Sequence, residues 1–397
     1  MKAIAINRRT FLGAATLSGV GVLAPRVLFA NANTDARMVV VILRGALDGL
    51  AAVPAYGDGN YARIRGEIAI ASPRLRLDGM FALHPSLERL HARYEAKELA
   101  VFHAIASPYR ERSHFDGQDL LENGTTQPHS REGWLNRSLQ ALAMRRSNEH
   151  LAVAMAQNIP LVLRGAAAVN SWAPSQLPAT DSDTLQRIVD LYSTDQYFAS
   201  RLQAALATDA LAGDDMMGAG RRDPLGAFAA LADAAGKFLA APTGPRVAVI
   251  EAGGWDTHAN QGAEQGPLAN RLRSLDIGLD GLRAALGDAW KTSAVLVVTE
   301  FGRTVAVNGT RGTDHGTATC AFLVGGAVNG GRVIADWPGL SPSALYESRD
   351  LKPTSDLRSL FKSVLAQHMH VSEAALEETV FPGSRSAKPI EALLRSA

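Results

Sequence analysis

Three segments of the sequence place carboxylate and imidazole side chains in glycine-rich turns, and two of them directly follow apolar, β-branched runs. These segments are residues 253–258, 299–304 and 312–316. Carboxylate oxygen and imidazole nitrogen together suit zinc, manganese or iron, and they make a site for calcium alone a poorer fit. Because ligands bind at the carboxyl ends of strands in an open α/β sheet, the three segments could converge there. The sequence therefore predicts a metallohydrolase-like site.

Asp256 and His258 are candidate metal ligands two residues apart. In extended backbone such residues point to the same side, so both could face one ion, and a surface turn is the alternative. Glu300 ends an apolar strand, where a carboxylate is costly unless it is paired or metal-bound. Arg303 could pair with Glu300, or its planar guanidinium could hold an anionic substrate oxygen.

Two further places in the sequence supply ligand-type side chains. In Asp314-His315, one residue could bind the ion while the other orients it. Asp48 lies near glycines after the first buried strand, where it could reach a metal at the edge of the sheet. The alternative for Asp48 is a capping role in the following turn, because aspartate is common in turns.

Residues 110–119 contain the candidate nucleophile. Ser113 is predicted at the start of a helix whose amide groups can stabilise an anion. A metal could activate its hydroxyl, with Arg112 or His114 beside the developing charge. The alternative is that Ser113 is simply a helix N-cap. The histidines His84 and His103 are predicted to be structural hydrogen-bonding residues.

Apolar runs and helical periodicity predict the elements that must position these side chains. Strands are predicted at residues 37–43, 99–105, 151–155, 247–250, 294–299 and 321–324, and helices at about 87–97, 268–290 and 354–368. A helix between two fully apolar strands is typical of a parallel sheet. Residues 180–242 are rich in Ala, Asp and Leu with little strand signal, and are predicted to form a helical insertion beside the sheet.

The N-terminus has the pattern of a twin-arginine signal peptide. Arg8-Arg9 precedes an apolar run of about 14 residues, shorter than the roughly 20 that span a bilayer, and Ala30-Asn31-Ala32 offers a cleavage site. We predict a signal over residues 1–32, recognised by the twin-arginine translocase, and a location in the bacterial periplasm or cell envelope. An uncleaved anchor or a chance arginine pair is the alternative.

Charge and cysteine content exclude two classes of protein. Four of the 40 basic residues and none of the 39 acidic ones lie in residues 1–32, so the mature chain has a formal charge of −3. No broad basic field remains for a nucleic acid. The single cysteine, Cys320, excludes an intramolecular disulfide framework, and its apolar neighbours predict that it is buried.

Taken together, the motifs closely resemble the bacterial family named domain of unknown function 1501, which looks like a branch of the alkaline phosphatase and sulfatase superfamily. The resemblance runs from about residue 37 to 382 and includes L-R-G-A-L-D-G-L, F-A-L-H-P-S-L, R-S-H-F-D-G-Q, G-W-L-N-R, G-G-W-D-T-H-A-N-Q, T-E-F-G-R-T and G-T-D-H-G. It implies one domain over residues 37–385. The expected fold is an alkaline phosphatase-like three-layer α/β sandwich, with a central, mostly parallel sheet between helices.

The resemblance also implies one or two divalent metal ions at the carboxyl edge of the sheet, with zinc expected first and manganese or iron as alternatives. The chain departs from the superfamily, because Asp-x-x-x-His is compressed to Asp-Thr-His and an Asp-His pair is replaced by Glu-Phe. One ion could therefore be lost or held differently. By position, the resemblance gives Ser113 as nucleophile and, as metal ligands, Asp48, Asp256, His258, Glu300 and His315.

The sequence thus predicts an exported metal-dependent hydrolase of phosphate or sulfate esters. Its substrate would be a small anionic ester or an envelope polymer. Two alternatives stay open: a non-catalytic envelope protein that keeps the fold to bind a partner, and a metal-free serine hydrolase. The absence of a G-x-S-x-G motif weighs against the serine hydrolase.

Overall fold

The structure is a computed structural model that describes residues 35–143, 151–174, 182–195, 198–199, 202–203, 205–206 and 224–395. The predicted twin-arginine segment, residues 1–32, lies outside the described residues. Of the helices that are described, none is both long and apolar enough to cross a membrane.

The strands of the described residues form one large sheet and one small hairpin. In the large sheet the strands run in the spatial order β10-β4-β9-β8-β1-β7-β5-β6, with β11 paired to β4, while β2 and β3 form the hairpin. Their bounds are β1 (Arg37–Arg44), β2 (Leu75–Arg76), β3 (Ala82–Leu83), β4 (Leu99–Ala106), β5 (Ala152–Ala154), β6 (Val169–Ser171), β7 (Val247–Gly253), β8 (Ser293–Thr299), β9 (Thr319–Val324), β10 (Arg332–Ile334) and β11 (Ser355–Asp356).

The α-helices lie between and after these strands. Their bounds are α1 (Gly49–Ala52), α2 (Tyr61–Arg65), α3 (Glu88–Glu95), α4 (His114–Asn123), α5 (Trp134–Ala143), α6 (Ser182–Tyr192), α7 (Pro224–Ala240), α8 (Pro267–Leu286), α9 (Leu357–Gln367) and α10 (Glu373–Ala375). Helices α6 and α7 fall within residues 180–242, much of which is not described. That this segment is an insertion stays a prediction.

The large sheet is mixed but mostly parallel, as predicted. Strand β1 pairs in parallel with β7 and β8, whereas β9 runs antiparallel to both β8 and β4. The first two predicted strands, β1 and β4, are therefore parallel to each other but separated by β8 and β9. Because β9 is reversed, the residues that precede it reach the same edge as the carboxyl ends of β1, β4, β7 and β8.

Helices cover both faces of the sheet, because the central strands are apolar on both sides. Along β1, Val39, Val41 and Leu43 pack into the cluster that includes residues of α7 and α8. The alternate residues of β1 pack into the cluster that includes residues of α5 and α9. Such alternation follows from the two-residue period of a strand. The predicted three-layer arrangement is confirmed.

His103, on β4, has the structural role predicted for it. Its ring is fully buried, Nε2 lies 3.1 Å from the Val53 carbonyl oxygen, and Nδ1 accepts the Ala104 N–H at 2.8 Å. Both contacts use the neutral imidazole, since a protonated Nδ1 could not accept. Burial lowers the pKa of His103 to about 4. His84 is held in the same way by Ala263 and Ser86, so its predicted structural role is confirmed.

The depressed pKa of His103 gives a pH dependence of stability. The unfolded chain binds a proton near pH 6.5, whereas the folded ring does so only near pH 4. The stability that the neutral His103 ring contributes to the folded state is therefore fully present above pH 6.5. It is lost as pH falls toward 4, by as much as about 3 kcal/mol. We expect the free energy of unfolding in urea to fall less between pH 7.5 and pH 4.5 for His103→Gln than for the wild type. The exposed His129→Gln should keep the wild-type loss. Equal losses in His103→Gln and wild type would contradict this account.

Candidate metal centre

Three histidines and one aspartate meet at the edge formed by the carboxyl ends of the parallel strands. His114 follows β4 as the first residue of α4, Asp256 and His258 follow β7, and His315 precedes the reversed β9. The topology explains this convergence, because each of these chain segments reaches the same edge of the sheet. Of the described residues, His114, Asp256 and His315 can offer ligand atoms within 4.8 Å of one another.

The ligand-type atoms of this group are spaced like those around one ion. His114 Nε2 lies 3.5 Å from Asp256 Oδ2, and His315 Nε2 lies 3.2 Å from Asp256 Oδ1. His258 Nε2 lies 3.0 Å from both Asp256 Oδ1 and His315 Nε2. Atoms bound tetrahedrally at about 2.05 Å to one zinc ion would be about 3.3 Å apart. The spacings among His114, Asp256 and His315 lie near that value, whereas His258 contacts Asp256 and His315 but lies outside the group whose ligand atoms are all within 4.8 Å of one another.

The other nitrogen of each imidazole contacts an oxygen of the protein. Nδ1 of His114 lies 2.8 Å from Glu300 Oε1, and Nδ1 of His258 lies 3.1 Å from Asp314 Oδ1. Nδ1 of His315 lies 2.9 Å from the Arg112 carbonyl oxygen. With the proton of each ring on Nδ1, the three Nε2 atoms near Asp256 would be free to bind a cation. Metal-binding histidines usually have such a partner for the second nitrogen.

The Nε2 atom of His114 provides a direct test of whether a cation fits. It is buried and forms no hydrogen bond with any described residue. A buried nitrogen without a partner is costly, and a cation between this atom and Asp256 would satisfy it. Burial lowers the pKa of His315, whereas the hydrogen bond with Glu300 raises the pKa of His114. The residues present therefore fit a metal cation.

Glu300, expected from the sequence as a ligand, lies behind His114 rather than beside Asp256. Its Oε1 accepts hydrogen bonds from Gly45 N, His114 Nδ1 and Gln118 Nε2, and its Oε2 accepts from Thr299 Oγ1. Burial alone would raise the pKa of Glu300, but these hydrogen bonds hold it below its usual value. The carboxylate thus orients His114, which the sequence had suggested only as a neighbour of the centre.

Asp48, also expected as a ligand, is not brought to the group. Its buried carboxylate forms an ion pair with Arg65, accepts from Gln261 Nε2 at 2.7 Å, and caps helix α1 through Ala51 N at 3.1 Å. Asp48 thus caps α1 and binds Arg65 and Gln261, and its role as a metal ligand stays a prediction.

Gln261 links Asp48 to the two loops that hold the histidines. Its Oε1 accepts from Thr257 Oγ1 at 2.8 Å and from Thr313 Oγ1 at 2.9 Å. Thr257 lies between Asp256 and His258, and Thr313 lies two residues before His315. Sequence reasoning missed Gln261, for which the only signal was its place in the motif G-G-W-D-T-H-A-N-Q.

Arg303 pairs with Asp256 and not with Glu300. Its guanidinium is fully buried and also donates to the Thr313 carbonyl and hydroxyl. Burial would raise the pKa of Asp256, but the hydrogen bond from Arg303 lowers it and keeps the carboxylate charged. The contacts of Arg303 thus hold Asp256, and a contact with substrate stays a prediction.

Ser113 and Arg112 stand directly before His114. The Ser113 hydroxyl caps no amide of the described helix α4, and its backbone N–H donates to Tyr109 Oη at 3.0 Å. Arg112 has a left-handed backbone (φ 61°), and Asp350 accepts from its Nε at 2.8 Å. The Arg112 carbonyl oxygen therefore contacts His315 Nδ1, while the Arg112 guanidinium is paired with Asp350. The nucleophilic role of Ser113 stays a prediction.

Comparisons with known proteins gave one family model and several similar solved structures. A family model described as "Protein of unknown function (DUF1501)" matches residues 35–380. The chain is similar to the structure of Ps i-CgsB in complex with k-i-k-neocarrahexaose, at 11% identity and a TM-score of 0.38, covering 90% of this chain and 77% of that chain. No curated protein matches the chain.

Two further solved structures are similar at the same level. One is the phosphonate monoester hydrolase of Agrobacterium radiobacter, at 11% identity and a TM-score of 0.35, covering 84% of this chain and 74% of that chain. The other is the PsFucS1 sulfatase from Pseudoalteromonas sp., at 12% identity and a TM-score of 0.38, covering 90% and 71%. At these identities and TM-scores, no ligand set or substrate transfers to the present chain.

Proposed function

The chain belongs to the DUF1501 family of proteins of unknown function, and we propose that it is a metal-dependent hydrolase of phosphate or sulfate esters. The observation that supports this proposal most strongly is the convergence of three imidazole Nε2 atoms on Asp256, each imidazole being fixed through Nδ1. We propose one divalent ion, zinc first, held by His114, Asp256, His258 and His315.

The ion would supply a Lewis acid that polarises an ester oxygen and lowers the pKa of water. The protein's own groups prepare the site for it. Arg303 keeps Asp256 charged, and Glu300 fixes the ring of His114. The hydroxyl of Ser113, which caps no amide of the described helix α4, is our candidate for the attacking oxygen.

A negatively charged ester is favoured by helix α4. This helix of 10 residues begins at His114, so the positive end of its dipole lies at the candidate centre. Helix N-termini stabilise anions through their free N–H groups and the aligned peptide dipoles. A phosphate or sulfate group there would lie beside Ser113. The proposed substrates are small anionic esters or an envelope polymer that carries such groups.

Hydrolysis of nitrophenyl phosphate and nitrophenyl sulfate by the purified protein tests this function. We expect activity that a chelator removes and zinc restores, and a loss of at least ~100-fold in kcat/KM for Ser113→Ala. Ser130→Ala, a half-buried serine in the loop after α4, is the matched control. A metal-loaded protein inactive on every ester would favour the non-catalytic binding protein. Activity that survives the chelator but is lost in Ser113→Ala would favour a metal-free serine hydrolase.

Export by the twin-arginine pathway is proposed from the sequence of residues 1–32. Since that pathway carries folded proteins, it would suit a protein that binds its metal before export. We expect the double variant Arg8→Lys/Arg9→Lys to accumulate in the cytoplasm of a bacterial host, as cell fractionation would show. Arg26→Lys, in the same segment, should be exported normally. Normal export of the double variant would contradict the proposal.

A further inference from the structure

A cavity of about 310 Å³ lies between helices α7 and α8 and the carboxyl end of β7. Its walls are largely apolar, and Trp255, which lines it, directly precedes Asp256 in the chain. A volume near 300 Å³ is enough for a small ring system with one polar group. The cavity lining includes the apolar residues Phe228, Leu231, Trp255 and Leu275, and its charged lining residues are Arg271 and Glu251.

Arg271 brings a positive charge into this apolar cavity. Among the described residues, none forms an ion pair or hydrogen bond with its guanidinium, whereas the neighbouring acid, Glu251, is already paired with Arg44. Arginine is the residue best suited to bind carboxylate or sulfate in two-pronged fashion, and the surrounding apolar surface strengthens such hydrogen bonds. The Arg271 guanidinium therefore has no counter-ion among the described residues, and an anionic ligand could supply one.

The backbone beneath Arg271 is shaped to accept the guanidinium. Gly254 has φ +88°, and a Cβ atom there would lie only 2.7 Å from the Arg271 Cζ and Nη2 atoms. A larger residue would displace the guanidinium from the floor of the cavity, and L-residues rarely adopt this backbone conformation. Gly254, two residues before Asp256 in the chain, therefore leaves room for the Arg271 guanidinium at the end of β7.

We propose that this cavity binds an organic anion, with Arg271 pairing to its carboxylate or sulfate and the apolar walls enclosing its carbon skeleton. This assignment rests on the proposed function, under which the ligand is the alcohol portion of the ester substrate. The substrate would then carry a second anionic group on an apolar or aromatic body. The ester group would lie at His114 and Asp256, and the second anion at Arg271.

Titration calorimetry with 2-naphthalenesulfonate tests the cavity without using activity. The wild type should bind one equivalent, and the uncharged naphthalene-2-sulfonamide should bind at least ~10-fold more weakly, as should the sulfonate to Arg271→Gln. Arg271→Lys should recover part of the affinity. Arg273→Gln, an exposed arginine on the same helix, is the control that should bind normally. Thermal unfolding of each variant checks that it is folded.

Several results would overturn the proposal: no saturable binding to the wild type, equal affinity for sulfonate and sulfonamide, or unchanged binding to Arg271→Gln. The same titration after chelation separates this proposal from the proposed function. Sulfonate binding by a protein that retains no metal would uphold the cavity and count against the metal-dependent hydrolase. A metal-loaded protein that does not bind the sulfonate would support the metal site and contradict the proposed anion-binding site in the cavity.

Discussion

Replacing Asp256 and His258 together by alanine is expected to abolish metal retention while leaving the protein folded. The double variant removes two of the four proposed ligands, including the carboxylate near which the three Nε2 atoms lie. Its effect should exceed the ~10–100-fold loss of affinity that follows removal of an outer hydrogen-bond partner. Equilibrium dialysis with zinc, followed by elemental analysis, measures it.

Both side chains are partly exposed, with 40% exposure for Asp256 and 45% for His258, but the change also leaves the buried Arg303 without its counter-charge. We therefore expect the double variant to be folded but less stable than the wild type, and thermal unfolding checks this before its metal content is measured. The matched control is Asp288→Ala/His129→Ala, which removes one carboxylate and one imidazole from exposed positions far from the group. That variant should retain the wild-type metal content. Normal metal content in Asp256→Ala/His258→Ala would reject the ligand assignment.

Asp48→Ala is expected to destabilise the protein by about 3–5 kcal/mol, because it leaves the guanidinium of Arg65 buried without its counter-charge. Both partners of this ion pair are essentially inaccessible to solvent. Asp48 also caps α1 and binds Gln261, so the same change loosens the loops that hold the histidines. Chemical denaturation of the variant and the wild type gives the difference.

The matched comparison is the exposed pair Asp288–Lys291, whose disruption by Asp288→Ala should leave the denaturation midpoint unchanged. Replacing both partners, in Asp48→Leu/Arg65→Met, should restore part of the stability lost in Asp48→Ala. A stable Asp48→Ala that has lost its metal would contradict this structural role and support Asp48 as a ligand.

The elements of the sheet and the meeting of the loops could be predicted from the sequence, for a physical reason. Strands such as β1 and β8 are continuous apolar runs, which is what burial on both faces requires. Parallel strands bring the residues after them to one edge, so Asp256 and Glu300 could be predicted to lie at the same edge of the sheet. The reversal of β9 brings His315 to that edge from the other direction.

The division of roles among these side chains could not be predicted, because it depends on distant partners. A carboxylate after a buried strand has the same local pattern whether it faces an ion or protein donors. Glu300 accepts hydrogen bonds from Gly45 and Gln118, and Asp48 pairs with Arg65. All three partners lie at a distance along the chain. The position of His114 beside Asp256 likewise depends on how α4 packs against Phe301, through His114 itself and Leu120.

The most direct test of the central claim is a crystal structure of the zinc-loaded protein with anomalous scattering measured at the zinc edge. We predict one strong anomalous peak, bonded to the Nε2 atoms of His114, His258 and His315 and to the Asp256 carboxylate. The Nδ1 contacts with Glu300, Asp314 and the Arg112 carbonyl should be retained. A peak at Asp48 or Glu300, or no peak in fully zinc-equilibrated crystals, would contradict the account.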